Sequence, residues 1–504
     1  MKVDEVGAWD NFLSGLMIAL QLNNLLYCFM GVLAGTLVGV LPGIGPTAAV
    51  ALLLPATFQL DPISAIIMLS GISYGAAYGG STTSILLNVP GEAASVVTCL
   101  DGYQMAKIGR AGPALGIAAL GSFLAGTLSV VGVMLLAPTL SRAALKFDSP
   151  EYFSLMVMSM VIVTYLVRGS MIKGLIMVGL GLILGSVGMD IISGRERFTY
   201  GLPALKDGIG IIPIIIGMFG VAEILEIIGS SIKEEVFEKK IKGYWPNLQD
   251  WKDSGGPIVR GTLLGFFMGI FPGVSPMIPT FLSYGIEKRL SKHPEKFGTG
   301  VIEGVAAPEA CNNAASVGGF VPLLGLGIPS NAYNAVLLGA LMIYGLQPGP
   351  LLIKNNPDFF WGVMASMYLG NTMLLVLNLP LIPIWVRILQ IPYTLLSVLI
   401  LIFCFLGAYS INNSIYDAVF TFAFGVFGYW VKRFGFESPP LILAFVLGPL
   451  TEIAFRQTMI ASDGSFMVFI ERPISAFFIL VALVVIVAAF IKRRIFATKI
   501  ERDV

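Results

Sequence analysis

Gly31-Val-Leu-Ala-Gly35-Thr-Leu-Val-Gly39-Val-Leu-Pro42-Gly43-Ile-Gly45-Pro46 recurs 230 residues later, without a gap, as Gly261-Thr-Leu-Leu-Gly265-Phe-Phe-Met-Gly269-Ile-Phe-Pro272-Gly273-Val-Ser275-Pro276, with 7 of 16 positions identical. A second block follows each copy: Gly79-Gly80 through Val89-Pro90 falls on Gly318-Gly319 through Ile328-Pro329, at an offset of 239. Two blocks in the same order indicate a duplicated half. Glycine at every fourth position makes a helix face that another backbone can approach closely. The Pro-Gly pair inside each apolar stretch removes a backbone donor and permits positive φ. Each copy therefore reads as a helix broken at membrane depth, where freed carbonyls are tolerated only in a protein interior or along a wet cavity.

The rest of the chain agrees with a bilayer as its solvent. Of 504 residues 56% are hydrophobic and 12% charged, with mean hydropathy +0.85, about half the charge of a soluble domain. Apolar stretches near 22–41, 44–60, 63–79, 112–140, 150–167, 171–189 and 209–229 precede a charged segment at 230–258. Nine more follow, near 259–272, 276–286, 305–328, 328–346, 361–385, 393–408, 413–431, 439–455 and 473–491, several too short or too Gly/Pro-broken to span simply. Loops placed on the side of the basic C-terminal tail hold 18 Lys and Arg against 8 opposite, which puts the C-terminus in the cytoplasm. The loop at 101–110 then falls inside and that at 346–360 outside, so the two halves are expected to be inverted. The reading is an all-α polytopic membrane protein of about 12 or more transmembrane segments, two inverted structural repeats with broken helices and re-entrant hairpins. Its expected parts are a first repeat at 1–229, a cytoplasmic linker at 230–258, a second repeat with an extra C-terminal helix at 259–491, and a cytoplasmic tail at 492–504.

Several functions lose support. Net charge is +1 with no basic cluster, so no nucleic-acid partner is expected. One histidine, His293 in a charged loop, supports neither a metal site nor a Ser-His-Asp triad. Cys28, Cys99, Cys311 and Cys404 stand singly and read as small buried hydrophobes. No P-loop occurs, and the acidic N-terminus is not a cleavable signal peptide. No organic cofactor is expected.

The duplicated blocks carry the candidate site. Free carbonyls at the two Pro-Gly turns, Pro42, Gly43, Ile44 and Gly45 in one copy and Pro272, Gly273, Val274 and Ser275 in the other, suit a hard monovalent cation such as Na⁺, with H⁺ as the alternative coupling ion. The second blocks supply neutral hydrogen-bond donors beside helix N-termini, a chemistry for a small carboxylate. Candidate substrate ligands are Ser81, Thr82, Thr83, Asn88, Pro90 and Gly91, then Asn312, Asn313, Pro329, Ser330 and Asn331. Glu92 and Glu309 read as edge residues that can ligate ions, carry protons or cap helices. No Lys or Arg lies in either motif, so an anion's charge must be met by dipoles and a co-bound cation. A membrane-embedded hydrolase using Ser81 or Asp101, or a channel for small organic anions, are the competing classes.

Gly35-x3-Gly39-x2-Pro42-Gly43-x-Gly45-Pro46, Tyr78-Gly-Gly-Ser-Thr-Thr-Ser-Ile-Leu-Leu-Asn-Val-Pro-Gly-Glu92 and Asp101-Gly-Tyr-Gln-Met-Ala-Lys107 resemble motifs of the large membrane subunit of the tripartite tricarboxylate transporter family. So do Phe297-Gly-x-Gly300-x2-Glu303-Gly-Val-Ala-Ala-Pro308-Glu309-x2-Asn312-Asn313-Ala314 and Gly345-Leu-x-Pro348-Gly349-Pro350. The resemblance implies a permease, not an enzyme, in a prokaryotic inner membrane. Its implied partners are a small four-helix membrane subunit and a periplasmic solute-binding protein that delivers citrate or a related carboxylate. Symport is implied, driven by an ion gradient with sodium ahead of protons and by elevator or rocking motion, and a dimer of the membrane complex is a further expectation. Two positions depart from the family pattern: Ser275 replaces the glycine of PGxG, and Ser330-Asn331 replaces the Gly-Ser usual after Gly-Ile-Pro.

Overall fold

The computed structural model describes residues 8–41, 45–166, 170–190, 192–228, 243–388 and 393–500. The described chain is helical apart from one two-residue hairpin ladder, Gly188↔Arg197 and Met189↔Glu196. Among the described residues five helices are long and apolar enough to cross a bilayer: Leu22–Val40, Pro62–Leu87, Ala111–Ala144, Pro357–Asn378 and Pro439–Ala461. Shorter apolar helices, among them Met171–Gly185 and Ala332–Ile343, carry much of the remaining apolar sequence.

The glycine-rich blocks explain how the core is built. A Cβ added at Gly31, Gly35 or Gly39 would fall inside 3.0 Å of the backbone of Met68, Ile72 or Ala76, so the Leu22–Val40 and Pro62–Leu87 helices touch backbone to backbone. Gly261, Gly265 and Gly269 on Leu248–Ile270 stand in the same relation to Ala307, Cys311 and Ala315 on Glu303–Gly318. The contacts differ by 230 residues on one side and 239 on the other, the two offsets read from the sequence. Both copies therefore make the same helix pair in the same register. Asn88 (φ 59°), which ends Pro62–Leu87, and Gly327 (φ 73°), which ends the short helix Phe320–Leu326 that follows Glu303–Gly318, are related by 239 and both adopt the left-handed conformation. Glycine or asparagine reaches that region at little cost, which stops each helix there.

Residues 64–87 are buried without interruption, as are 304–325. A helix covered on all sides can hold hydroxyls and amides only if they find partners inside the protein, and this fixes where the polar run of each copy must look.

Four sequence expectations change. The segment 230–258 is not all linker, because a helix starts at Leu248, where Asn247 and Asp250 form a reciprocal capping box with N···O distances of 2.9 and 3.0 Å. The final helix runs from Pro473 to Ile500, past the expected start of the tail. The segment 101–110 is not a loop, since Val96–Lys107 is helical with too few apolar residues for a hydropathy window to detect. Glu309 lies not at an edge but in the middle of Glu303–Gly318, with no exposure. The helix Ala8–Ala19 also lies outside every apolar stretch read from the sequence, and it packs Gly15 against the backbone of Trp361. His293 is exposed beside Glu295, and all four cysteines are buried and free.

Candidate functional site

The two halves meet at a cavity of about 190 Å³. Gly45, Pro46 and Thr47 with Glu92, Ala93 and Ala94 form one side of it. Gly273, Ser275 and Pro276 with the 329–333 turn form the other, and Val163, Ser316, Glu437 and Pro439 complete the wall. The repeat offsets map 45–47 onto 275–277 and 92–94 onto 331–333, so each half contributes the same two turns. Glu92 and Asn331 are equivalent positions. Both start helical turns: the Glu92 N–H donates to Ser95 Oγ at 3.2 Å, and the Asn334 N–H donates to Asn331 Oδ1 at 3.0 Å.

Four helices of eight residues or more begin at this wall: Pro46–Leu53, Met277–Leu290, Ala332–Ile343 and Pro439–Ala461. Their first N–H groups have no partner within the helix, and their dipoles favour negative charge at that end. Proline at N1 of the first and last is suited to the start, where no donor is needed from it. Among the described residues no Lys, Arg or His lines the cavity, and the ionisable groups there are Glu92, Glu437 and Tyr333.

Of the residues singled out in the sequence, Gly45, Gly273, Ser275, Pro329, Ser330 and Asn331 line this cavity together. Pro272 and Val274 belong to the same turn, partly and fully covered behind its surface. Gly273 has φ +82°, and its N–H donates to the Ser330 carbonyl at 2.6 Å, which joins the two turns of the second half. Ser330 Oγ is buried and accepts from Asn334 Nδ2 at 2.9 Å. Pro42, Gly43 and Ile44 lie outside the described residues.

The remaining candidates sit elsewhere. Ser81 Oγ donates to Glu309 Oε2 at 2.5 Å, while Thr83 bonds back to the Gly80 carbonyl at 3.1 Å. Thr82 borders a small separate void. Asn88 is an exposed helix end, and Pro90 and Gly91 carry the chain from it to Glu92, with Gly91 packed on Gly80. Asn312 Nδ2 donates to Glu92 Oε1 at 2.6 Å and Asn313 Nδ2 to Ser122 Oγ at 2.7 Å. The polar run of the first half and that of the second therefore face each other across the repeat interface, and Asn312 reaches the cavity only through Glu92.

Ser81 and Asp101, considered for hydrolysis, are not partners. Asp101 accepts from the N–H groups of Gly298, Gly300 and Val301 at 2.8–3.0 Å and from Tyr284 Oη at 2.8 Å, which clamps the segment entering Glu303–Gly318. Sequence reasoning missed Thr47, Ser316, Tyr333 and Glu437.

The chain matches the family described as "Tripartite tricarboxylate transporter TctA family" over residues 25–443. It is 49% identical over 482 residues to the "Uncharacterized 52.8 kDa protein in TAR-I ttuC' 3'region" of Agrobacterium vitis, covering 96% of each chain. It is 46% identical over 227 residues to the "Uncharacterized protein in TAR-II ttuC' 3'region" of the same organism, covering 45% of this chain and 94% of the relative. No solved structure matches the chain. With a helical, apolar architecture and a family match that spans both copies of the repeat, the chain belongs to the TctA family of tripartite tricarboxylate transporters.

Proposed function

We propose that this TctA-family chain is the permease of a binding-protein-dependent secondary transporter that imports citrate-like tricarboxylates or related organic carboxylates. The observation that carries the reading is the cavity itself: the same two turns from each half, helix starts on both sides, neutral donors beside the carboxyls of Glu92 and Glu437, and no basic side chain among the described residues. Carboxylate oxygens there would accept from helix N–H groups, Thr47 and Asn331. Helix ends contribute about 0.3–1 kcal/mol each toward an anion, too little to offset several carboxylate charges. A co-bound cation, Na⁺ ahead of H⁺, therefore accompanies the substrate, and its gradient drives import.

The halves act as inverted repeats on either side of the 230–247 segment, and rocking or sliding of one against the other gives alternating access. A periplasmic binding protein supplies the acid and a small membrane subunit completes the complex in the inner membrane, with the C-terminus cytoplasmic. The site can be tested directly. In Thr47→Cys and Ala332→Cys variants, whose native cysteines are all buried, citrate should slow labelling by a small hydrophilic maleimide in a concentration-dependent manner. Unchanged labelling rates in both variants with citrate and with succinate would overturn this placement.

A further inference from the structure

The described residues contain seven buried acidic side chains. Glu151, Asp250 and Glu287 each pair with an arginine, and Asp101 is surrounded by N–H groups. Glu92 and Asp417 each accept from an asparagine amide, Asn312 and Asn412. Glu309 has only hydroxyls. Ser81 of Pro62–Leu87 donates to its Oε2 at 2.5 Å, and Thr98 of Val96–Lys107 donates to Oε1.

No lysine, arginine or histidine is among the buried described residues. The other titratable groups facing Glu309 are Tyr78 on Pro62–Leu87, Cys99 on Val96–Lys107 and Glu92 on the turn before it. Each is neutral or negative. Cys311 on its own helix is turned toward Ser283 of Met277–Leu290, and Ala111–Ala144 presents Ser122 to the neighbouring Asn313. A buried carboxylate without a countercharge is unfavourable, so the site calls for a cation.

A second observation points to the same place. Ser81 also borders a void of about 10 Å³, with Tyr78, Thr82, Ser122 and Asn378 on its walls, room for roughly one water-sized guest. Asn378 is 5% exposed, and its Oδ1 has no hydrogen-bond partner.

We propose that Glu309, with the hydroxyl oxygens of Ser81 and Thr98, holds the monovalent coupling cation, and that the void beside Ser81, with Asn378 Oδ1, is the last step of its path. This deepens the transporter reading and rests on it. As placed, both hydroxyls donate to the carboxylate. A sodium ion between them would turn the hydroxyl protons away and take their lone pairs. A proton on Glu309 would instead let the carboxyl donate to one hydroxyl. Either way the site becomes neutral with both repeats tied to it. Glu309 is also one turn before Asn312, which holds Glu92 at the wall of the large cavity, so cation binding and substrate binding share one helix.

The test measures ²²Na⁺ binding and the infrared carboxyl stretch on the purified chain in detergent, with no organic acid present. Wild type is compared with Glu309→Gln, Glu309→Asp, Ser81→Ala and Thr98→Val, with Asp417→Asn as a buried control. Sodium occupancy predicts saturable binding that falls at least tenfold in Glu309→Gln, weakens several-fold in Glu309→Asp, Ser81→Ala and Thr98→Val, and is unchanged in Asp417→Asn. Proton occupancy predicts no Na⁺ binding but a protonated-carboxyl band at neutral pH that Glu309→Gln removes. Monodisperse Glu309→Gln protein that binds Na⁺ as wild type does, or a carboxyl band and Na⁺ binding both indifferent to Glu309, overturns the proposal. Because no substrate enters the assay, a chain that binds its cation at Glu309 yet never moves a carboxylate would refute the transport reading alone.

Discussion

Asn331 does two separable things, and its substitutions should separate them. Its Oδ1 caps the Ala332–Ile343 helix by accepting from the Asn334 N–H at 3.0 Å, while the residue lines the cavity. Losing an N-cap costs about 0.5–2 kcal/mol of stability. Losing one hydrogen bond to a charged carboxylate costs about 1.5–3 kcal/mol, which is roughly 10- to 150-fold in affinity at 1.4 kcal/mol per tenfold. Asn331→Ala should therefore show both losses. Asn331→Ser keeps an oxygen for the cap and loses the amide donor, so stability should hold while the KM for citrate rises. Asn331→Asp keeps the cap and places a negative charge against an anion, so its uptake should fall below that of the alanine variant although its stability does not. Thermal unfolding in detergent and citrate uptake in proteoliposomes give the two readouts. Wild-type KM in Asn331→Asp, or a stability loss alone in Asn331→Ala, would refute the assignment of Asn331 to a carboxylate site.

Other expectations follow from the packing and the charges. Gly265→Leu drives a side chain into the Cys311 backbone and should cost more than the usual ~1–3 kcal/mol of overpacking, seen as loss of monodisperse protein. Gly255→Leu, with nothing within 4 Å of its Cβ, should stay within about 0.5 kcal/mol of wild type. Arg260→Ala leaves Glu287, 4% exposed, without its two hydrogen bonds of 2.7 and 2.6 Å. With the arginine itself nearly half exposed, the cost should be about 1–3 kcal/mol, below that of a fully buried pair, and Glu287→Gln in the same chain should recover most of it. The Asp190 carboxyl is held well below its usual range by the Ser193 hydroxyl, then by the Ile192 N–H, Arg456 and Arg197, against the opposing effect of burial. A depressed folded value means its contribution is complete above the ordinary aspartate value of ~3.9 and is lost only as pH falls through the folded one. Protease resistance of the 188–197 hairpin should therefore be flat from pH 7 to about 4 and fall below that, and Ser193→Ala with Arg456→Ala, which brings the folded value back toward the ordinary one, should lower the resistance above pH ~4 and make the fall shallower.

The repeat was legible because its signals are local. Glycine at every fourth position and a Pro-Gly break need no tertiary knowledge to read, and the gap between offsets 230 and 239 already encoded the register in which Gly35 meets Ile72 and Gly265 meets Cys311. The second-half wall, Gly273 through Ser275 and Pro329 through Asn331, was legible for the same reason. What sequence could not supply was the direction in which each polar side chain points. Ser81, Thr82 and Thr83 are adjacent in sequence, yet one meets Glu309, one borders a void and one bonds its own helix. The side-chain amide of Asn88 marks it as a ligand in the sequence, whereas in the fold the residue is a left-handed helix end. Glu309 reads as an edge residue in the sequence, yet it lies inside the Glu303–Gly318 helix, which also holds Pro308. The Val96–Lys107 helix was invisible to hydropathy, its polar face being engaged by Glu309 and by the 298–301 backbone rather than by water.

Whether this chain moves organic carboxylates with a cation is answered by reconstitution. Labelled citrate and succinate are offered to proteoliposomes that hold the chain and its small membrane partner, with and without a binding protein, under an imposed sodium or proton gradient. Coupled transport gives accumulation above equilibrium that needs both the gradient and the binding protein and collapses when the gradient is dissipated. Well-inserted protein that accumulates neither acid under either gradient, or that passes them only downhill without any cation dependence, would contradict it.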